Sequence, residues 1–362
     1  MGNDTMILSV EKKGNKNMIY AILYHPGHNR VYFETSLKLA VSEFHIVAKK
    51  LSTDYSGVER VTLCGVDYLT FHVKNRLSGK DVRILSDLSF LYALYEIINE
   101  NGETYLKPIQ TISEPFVDES IGTILKYTGK TNEIFTRMMI NIAFYSQNNL
   151  SPIRLLDPVA GKGTTLYEGL MKGFHVYGIE IGDRVVNEAY HFIKRFLETA
   201  RYKFEHTAIK ISGPNKAFKA TRHTFEIARE KEAFKRKDTK TIELIAGNSL
   251  HANTYYKKNY FDLIVGDLPY GVQHGNVTNE KQSSLTRNPT ELLHACLPSW
   301  CDVLKPNGIL VLAWNNHVMT RAKMEHLFEE QGFTVKNDDT YLQFAHRVDQ
   351  SIVRDILVAQ KK

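Results

Sequence analysis

An acid, a glycine turn and a helix start follow one another without a break in Leu155-Leu156-Asp157-Pro158-Val159-Ala160-Gly161-Lys162-Gly163-Thr164-Thr165. An apolar strand that ends in Asp157 and turns through Gly161 and Gly163 brings backbone close to a ligand that a Cβ would block. A second acid, Glu180, ends the next strand-like run, where a carboxylate can accept hydrogen bonds from both ribose hydroxyls of a nucleoside. Two rival sites are excluded. Lys162 is followed by Gly163 rather than Ser or Thr, so this is no phosphate-cradling P-loop, and Leu166 stands where a dinucleotide fingerprint needs its third glycine. What remains is a nucleoside site without a pyrophosphate cradle.

The second chemical segment is Phe261-Asp262-Leu263-Ile264-Val265-Gly266-Asp267-Leu268-Pro269-Tyr270-Gly271. An exocyclic amine on a base is a poor nucleophile because its lone pair is delocalised into the ring. Two acceptors aimed at its hydrogens favour a pyramidal nitrogen and expose that lone pair. The Asp267 carboxylate and the Leu268 carbonyl are candidates for those acceptors, Pro269 stiffens the loop, and Tyr270 can stack on the base.

These residues need a sheet to hold them. From residue 153 onward the pattern alternates: strand 153–157, helix 163–172, strand 174–179, helix 183–200, strands 242–246 and 261–266, helix 290–304, strand 308–314 and helix 320–331. Such alternation predicts a doubly wound α/β domain with a mostly parallel sheet. Residues 341–346 and 351–360 read as a terminal hairpin that adds an antiparallel strand. Ahead of this, a strand at 17–24, a helix at 36–51 capped by Ser36, strands at 59–63 and 68–74, a helix near 87–99 and a strand near 104–110 predict a small α+β unit. The expected division is residues 1–112 for the small domain and 113–362 for the larger one, with an amphipathic helix over 132–145.

Composition narrows the class. The 362 residues carry 43% hydrophobic and 24% charged residues and three cysteines, ordinary values for a globular chain with no disulfide framework. No apolar run reaches membrane-spanning length and the first residues lack a signal-peptide pattern, so a cytoplasmic protein is expected. Net charge is +6, concentrated between Lys194 and Lys240, where fourteen Lys and Arg stand against six Asp and Glu. This basic insertion, about residues 200–240, reads either as a solvated helical insertion or as a surface for a polyanion. Cys296 and Cys301 read as packed thiols, and no metal-ligand pattern is present. Arg347 and Arg354 either bind phosphate or close an ion pair, and Tyr255-Tyr256-Lys257-Lys258 mixes aromatics with charge as nucleic-acid surfaces do.

The pair Asp-Pro-x-x-Gly-x-Gly-Thr and Asp-Leu-Pro-Tyr-Gly resembles the class I amino-methyltransferases, and within them the THUMP-associated and Trm11-like RNA guanosine-N2 methyltransferases. Lys130-Thr131-Asn132-Glu133-Ile134-Phe135-Thr136-Arg137-Met138-Met139 and His346-Arg347-Val348-Asp349-Gln350-Ser351-Ile352-Val353-Arg354-Asp355 fit the same group. The resemblance spans roughly residues 120–362. It implies a Rossmann-like fold, S-adenosyl-L-methionine as cofactor and RNA, either tRNA or rRNA, as partner. By that likeness Asp157, Ala160, Gly161, Gly163, Thr164, Glu180 and Ile181 hold the cofactor, Phe135 and Thr136 line its methionine side, and Asn248 and Ser249 lie by its adenine. Asp267, Leu268, Pro269 and Tyr270 would form the catalytic loop, with Asp267 also among the cofactor-binding residues. The alternatives in the same chemistry are guanine-N7 methylation of rRNA and adenine or cytosine amine methylation of DNA.

Overall fold

The computed structural model describes residues 18–24, 30–124, 131–148, 152–269, 289–348 and 350–362. They fall into two compact units.

The smaller unit holds residues 18–24, 50–86 and 91–112. Its antiparallel sheet runs β2 (Tyr55–Leu63), β3 (Val66–Val73), β1 (Met18–Tyr24), β4 (Leu91–Glu100), β5 (Glu103–Ile109), with the short helix α2 (Gly79–Ser86) beside it. The sequence reading of a helix near 87–99 is corrected here, because residues 91–100 are strand β4. The apolar spacing of Leu91, Leu94 and Ile97, every third residue, reads as one face of a helix. The turn decides it: Asn101 and Gly102 both take positive φ, 54° and 81°, and close a tight hairpin that pairs Glu100 with Glu103. Ile97 then registers with Ile19 of β1.

The larger unit takes residues 30–49, 87–90 and everything from 113 onward. Helix α1 (Arg30–Ala48) therefore packs with this unit, against α4 (Glu133–Tyr145), rather than with its sequence neighbours. The buried Glu43 carboxylate accepts from the Ser89 N–H and hydroxyl and from Asn141 Nδ2, and desolvation raises its pKa.

The main sheet runs β13 (Phe333–Val335), β15 (Val353–Lys361), β12 (Leu304–Asn315), β11 (Phe261–Asp267), β6 (Arg154–Asp157), β7 (His175–Glu180), β10 (Lys240–Ala246), β9 (Lys219–Ala228), β8 (Lys203–Ser212). The pairs among β12, β11, β6, β7 and β10 are parallel. Helices α4, α5 (Thr164–Met171) and α6 (Asp183–Thr199) cover one face, and α8 (Ala252–Tyr255), α9 (Pro289–Val303) and α10 (Arg321–Glu330) the other. Two short helices, α3 (Ser120–Ile124) and α7 (Lys231–Lys235), complete the set. The doubly wound reading is met, with the core built on Trp300, Trp314, Phe261 and Phe328, all fully buried.

Two details differ from the sequence reading. The terminal hairpin is smaller, with only β14 (His346–Arg347) pairing to β15 on that side. The basic insertion is no solvated helix: residues 203–228 form a β-hairpin that pairs with β10 and extends the sheet by two antiparallel strands. Tyr255 and Tyr256 do not form a surface either, being 6% and 7% exposed within the core.

Candidate active site

Register places the acids. Asp157, the last residue of β6, pairs with Gly178, so β7 continues two residues further to Glu180. On the other side Leu156 pairs with Ile264, so β11 passes Asp157 by two residues to reach Asp267. At about 3.3 Å per residue, each flanking carboxylate stands roughly 7 Å beyond the end of the central strand. Strand order reverses around β6, and a crevice outside the carboxyl ends at such a switch point is where open α/β sheets bind ligands.

The glycine turn fills the floor of that crevice. Gly161 and Gly163 take φ of 52° and 94°, left-handed values that a side chain would strain. The Ala160 N–H donates to the Ile179 carbonyl, and the Gly161 N–H to Glu180 Oε2 at 3.1 Å. Glu180 Oε1 accepts from the Gly182 N–H at 2.8 Å. Gly178 lies beneath, where a Cβ would come within 2.8 Å of the Ala160 Cβ. The sequence reading did not single out this glycine, because the contact it permits is tertiary.

A cavity of about 360 Å³ opens above the turn. Among the residues singled out from sequence, Glu180, Ile181, Asn248, Ser249, Asp267 and Pro269 line it, and Pro158, Val159, Ile179 and Leu292 join them. Asn248 caps the helical turn that follows it through Oδ1 to the Leu250 N–H, and Ser249 Oγ accepts from the Trp300 indole. The other described candidates, Ala160, Gly161 and Gly163 included, are not among the residues that line the cavity. Asp157 is buried and turns back to accept from the Val159 N–H at 3.0 Å. Thr136 is buried with its hydroxyl donating to the Asn132 carbonyl, Phe135 is buried, and Thr164 opens α5 after Gly163. Leu268 is buried in the core and anchors the loop by donating its N–H to the Ala313 carbonyl. Tyr270 lies outside the described residues.

Electrostatics are set by burial. Removal from water pushes Asp157 up to about 7, with repulsion from the Asp267 and Glu180 carboxylates adding to it against hydrogen bonds from Thr165 and Val159. Burial also raises Glu180, opposed by its backbone donors. Glu180 and Asp267, the two acids that line the crevice, make a field that favours a cationic ligand. Two residues beside Asp267 went unread in this role: Thr131 and Arg354. Thr131 Oγ1 donates to Asp267 Oδ2 at 2.9 Å, and Arg354 Nη2 lies 3.8 Å from the same oxygen. Of the two sequence readings of Arg354, phosphate ligand or ion pair, its position supports the ion pair. Among the described residues no cluster of His, Cys, Asp and Glu could hold a metal, and no helix is long and apolar enough to cross a membrane.

Comparison with curated proteins yields no significant match. Solved structures with remote likeness include the magnesium protoporphyrin IX methyltransferase of Synechocystis with bound SAM, at 14% identity and a TM-score of 0.37 over 65% of this chain and 87% of that one. An rRNA methylase from Streptococcus thermophilus gives 11% identity and a TM-score of 0.31 over 58% and 87% of the two chains. A TehB-like SAM-dependent methyltransferase from Corynebacterium glutamicum gives 16% and 0.31 over 59% and 83%. The family model for the RMKL-like methyltransferase domain (UPF0020) matches residues 127–341, more than half of the chain and both motif loops. The chain thus belongs to the RMKL-like methyltransferase domain family.

Proposed function

We propose that this protein transfers a methyl group from S-adenosyl-L-methionine to the N2 amine of a guanosine in structured RNA. One observation carries the reading: Asp267 lines the same cavity as Glu180 and Asn248, so a base amine and a nucleoside cofactor can meet there. The residues present fit that cofactor. Glu180 is available to the ribose hydroxyls, Asn248 and Ser249 to the adenine, and Pro158, Val159, Ile179 and Ile181 offer apolar walls. The Glu180 and Asp267 carboxylates offset a cationic sulfonium. When bound, the cofactor supplies an already activated methyl group.

Asp267 then does the work at the acceptor. Its carboxylate accepts an N–H of the exocyclic amine, which localises the nitrogen lone pair, and takes the proton that the methylated nitrogen sheds. Positioning and charge complementarity supply most of the rate.

The β8–β9 hairpin supports RNA as partner. The last β9–β10 pair is Thr221 with Ala246, so Lys219 and the tip beyond it pass the carboxyl end of β10, on the side of the sheet where Asp267 stands. Phe218 stacks on His251 with ring centroids 3.8 Å apart, which fixes the tip near Asn248 and Ser249. Residues 209–220 carry exposed Lys210, Lys216 and Lys219 and no acid, a suitable surface for phosphates.

The test is incubation of the protein with isotope-labelled S-adenosylmethionine and either total RNA or genomic DNA, followed by mass spectrometry of the nucleosides. N2-methylguanosine from the RNA is expected. Label in 7-methylguanosine, or in DNA amines alone, overturns the assignment. Asp267→Asn is expected to lower turnover by roughly 10²–10³-fold with donor affinity retained. Full turnover in that variant removes Asp267 from the chemistry.

A further inference from the structure

Asp267 is held from outside its own loop. Thr131, just ahead of α4, and Arg354, on β15, both approach its Oδ2, at 2.9 and 3.8 Å. Arg354 is itself fixed by packing. It is 9% exposed, its guanidinium carbon lies 4.3 Å from the centre of the Phe135 ring, and it pairs across the ladder with His346. The His346 ring packs on Phe135 at 5.5 Å between centroids, and its Nδ1 lies 2.8 Å from the Phe344 carbonyl oxygen. Burying a guanidinium is costly unless a carboxylate compensates it. A hydroxyl and a stacked cation on one carboxylate oxygen restrict its rotation and hold its charge, while the Asp267 side chain still borders the cavity.

We infer that Arg354 is a positioning residue for methyl transfer. With Thr131 it holds the Asp267 carboxylate pre-set for the base amine, so that no reorganisation is needed when the base arrives. This rests on the amine-acceptor role of Asp267 proposed above. The rival is a purely structural tie between β15 and the start of α4, which would act on stability or binding without passing through Asp267.

A double-mutant cycle separates the two. Single-turnover methylation of RNA is followed by nucleoside mass spectrometry for the wild type, Arg354→Met, Asp267→Asn and the double variant. Dissociation constants for S-adenosylmethionine and for RNA are measured alongside. Arg354→Met is expected to lower the rate constant by about 10–100-fold with both dissociation constants within about twofold of wild type. In the Asp267→Asn background the same change should add less than about twofold. Arg354→Lys, which keeps the charge and loses the planar fork, should return the rate to within about tenfold of wild type. Equal losses from Arg354→Met in both backgrounds, or a loss confined to affinity, overturn the positioning role while leaving the proposed function standing. Wild-type rates in Asp267→Asn alone would instead remove the amine-acceptor reading, and this inference with it. If melting shows that Arg354→Met does not fold, Thr131→Val completes the cycle under the same criteria.

Discussion

Asp157 shows how a buried carboxylate can shape a turn from within. Its side chain is spent on the Val159 N–H, so it shapes the start of the turn and does not line the cavity. Its acidity carries a consequence for stability. In the unfolded chain the carboxyl ionises near pH 4, whereas burial pushes it up to about 7 in the fold. The folded protein thus retains a proton that the unfolded chain has released, and stability falls as pH rises from about 4 to about 7. Asp157→Asn keeps the acceptor and abolishes the titration. Thermal melts should show the variant gaining on the wild type by roughly 1–3 kcal/mol as pH rises across that window, with little difference near pH 4. A difference that stays constant with pH would contradict this. At the same scale, Asp157, Glu180 and Asp267 were legible because each ends a recognisable strand. The Arg354–Asp267 ion pair was not, because it joins strands far apart in the sequence.

Among elements, those that alternate every few residues declare themselves, and the ambiguous ones are settled by partners. The parallel strands and their helices from 153 to 331 could be read because short continuous apolar runs, buried on both faces, alternate with helical patterns. Strand β4 could not, since Leu91, Leu94 and Ile97 recur every third residue as on a helix, and only pairing with β1 and β5 makes the segment a strand. The β8–β9 hairpin was hidden by its charge, because lysines and glutamates along 203–212 mask the alternation of an edge strand. The turn between β6 and α5 depends on β7 in a way open to test. Gly178→Ala would press a methyl into Ala160 and Leu166, 2.8 and 2.9 Å from the new carbon. The expected cost is about 1–3 kcal/mol of stability, together with weaker donor binding as the turn is displaced. Calorimetric titration with S-adenosylmethionine checks this, and an unchanged affinity would mean that the turn absorbs the methyl.

For the whole molecule, the charge distribution suits the RNA partner proposed above. The net charge of +6 is concentrated in and around the hairpin, and the tip lysines stand at the carboxyl side of the sheet. Replacing Lys210, Lys216 and Lys219 together by Gln should weaken RNA binding and flatten its salt dependence. The slope of log K against log salt should fall by about 0.7 for each phosphate that a lysine no longer neutralises. Equilibrium binding across a salt series measures this, and an unchanged slope would place the polyanion elsewhere. The hairpin also moves the boundary of the sheet outward. Among the described residues β8 pairs with β9 and with no other strand, so its outer backbone groups form a template for another chain. Lys203, Glu205 and Lys210 punctuate that rim, and a foreign strand laid along it would have to strip water from each of them. The same lysine-rich ribbon that suits a phosphate backbone thereby discourages the protein from adhering to copies of itself.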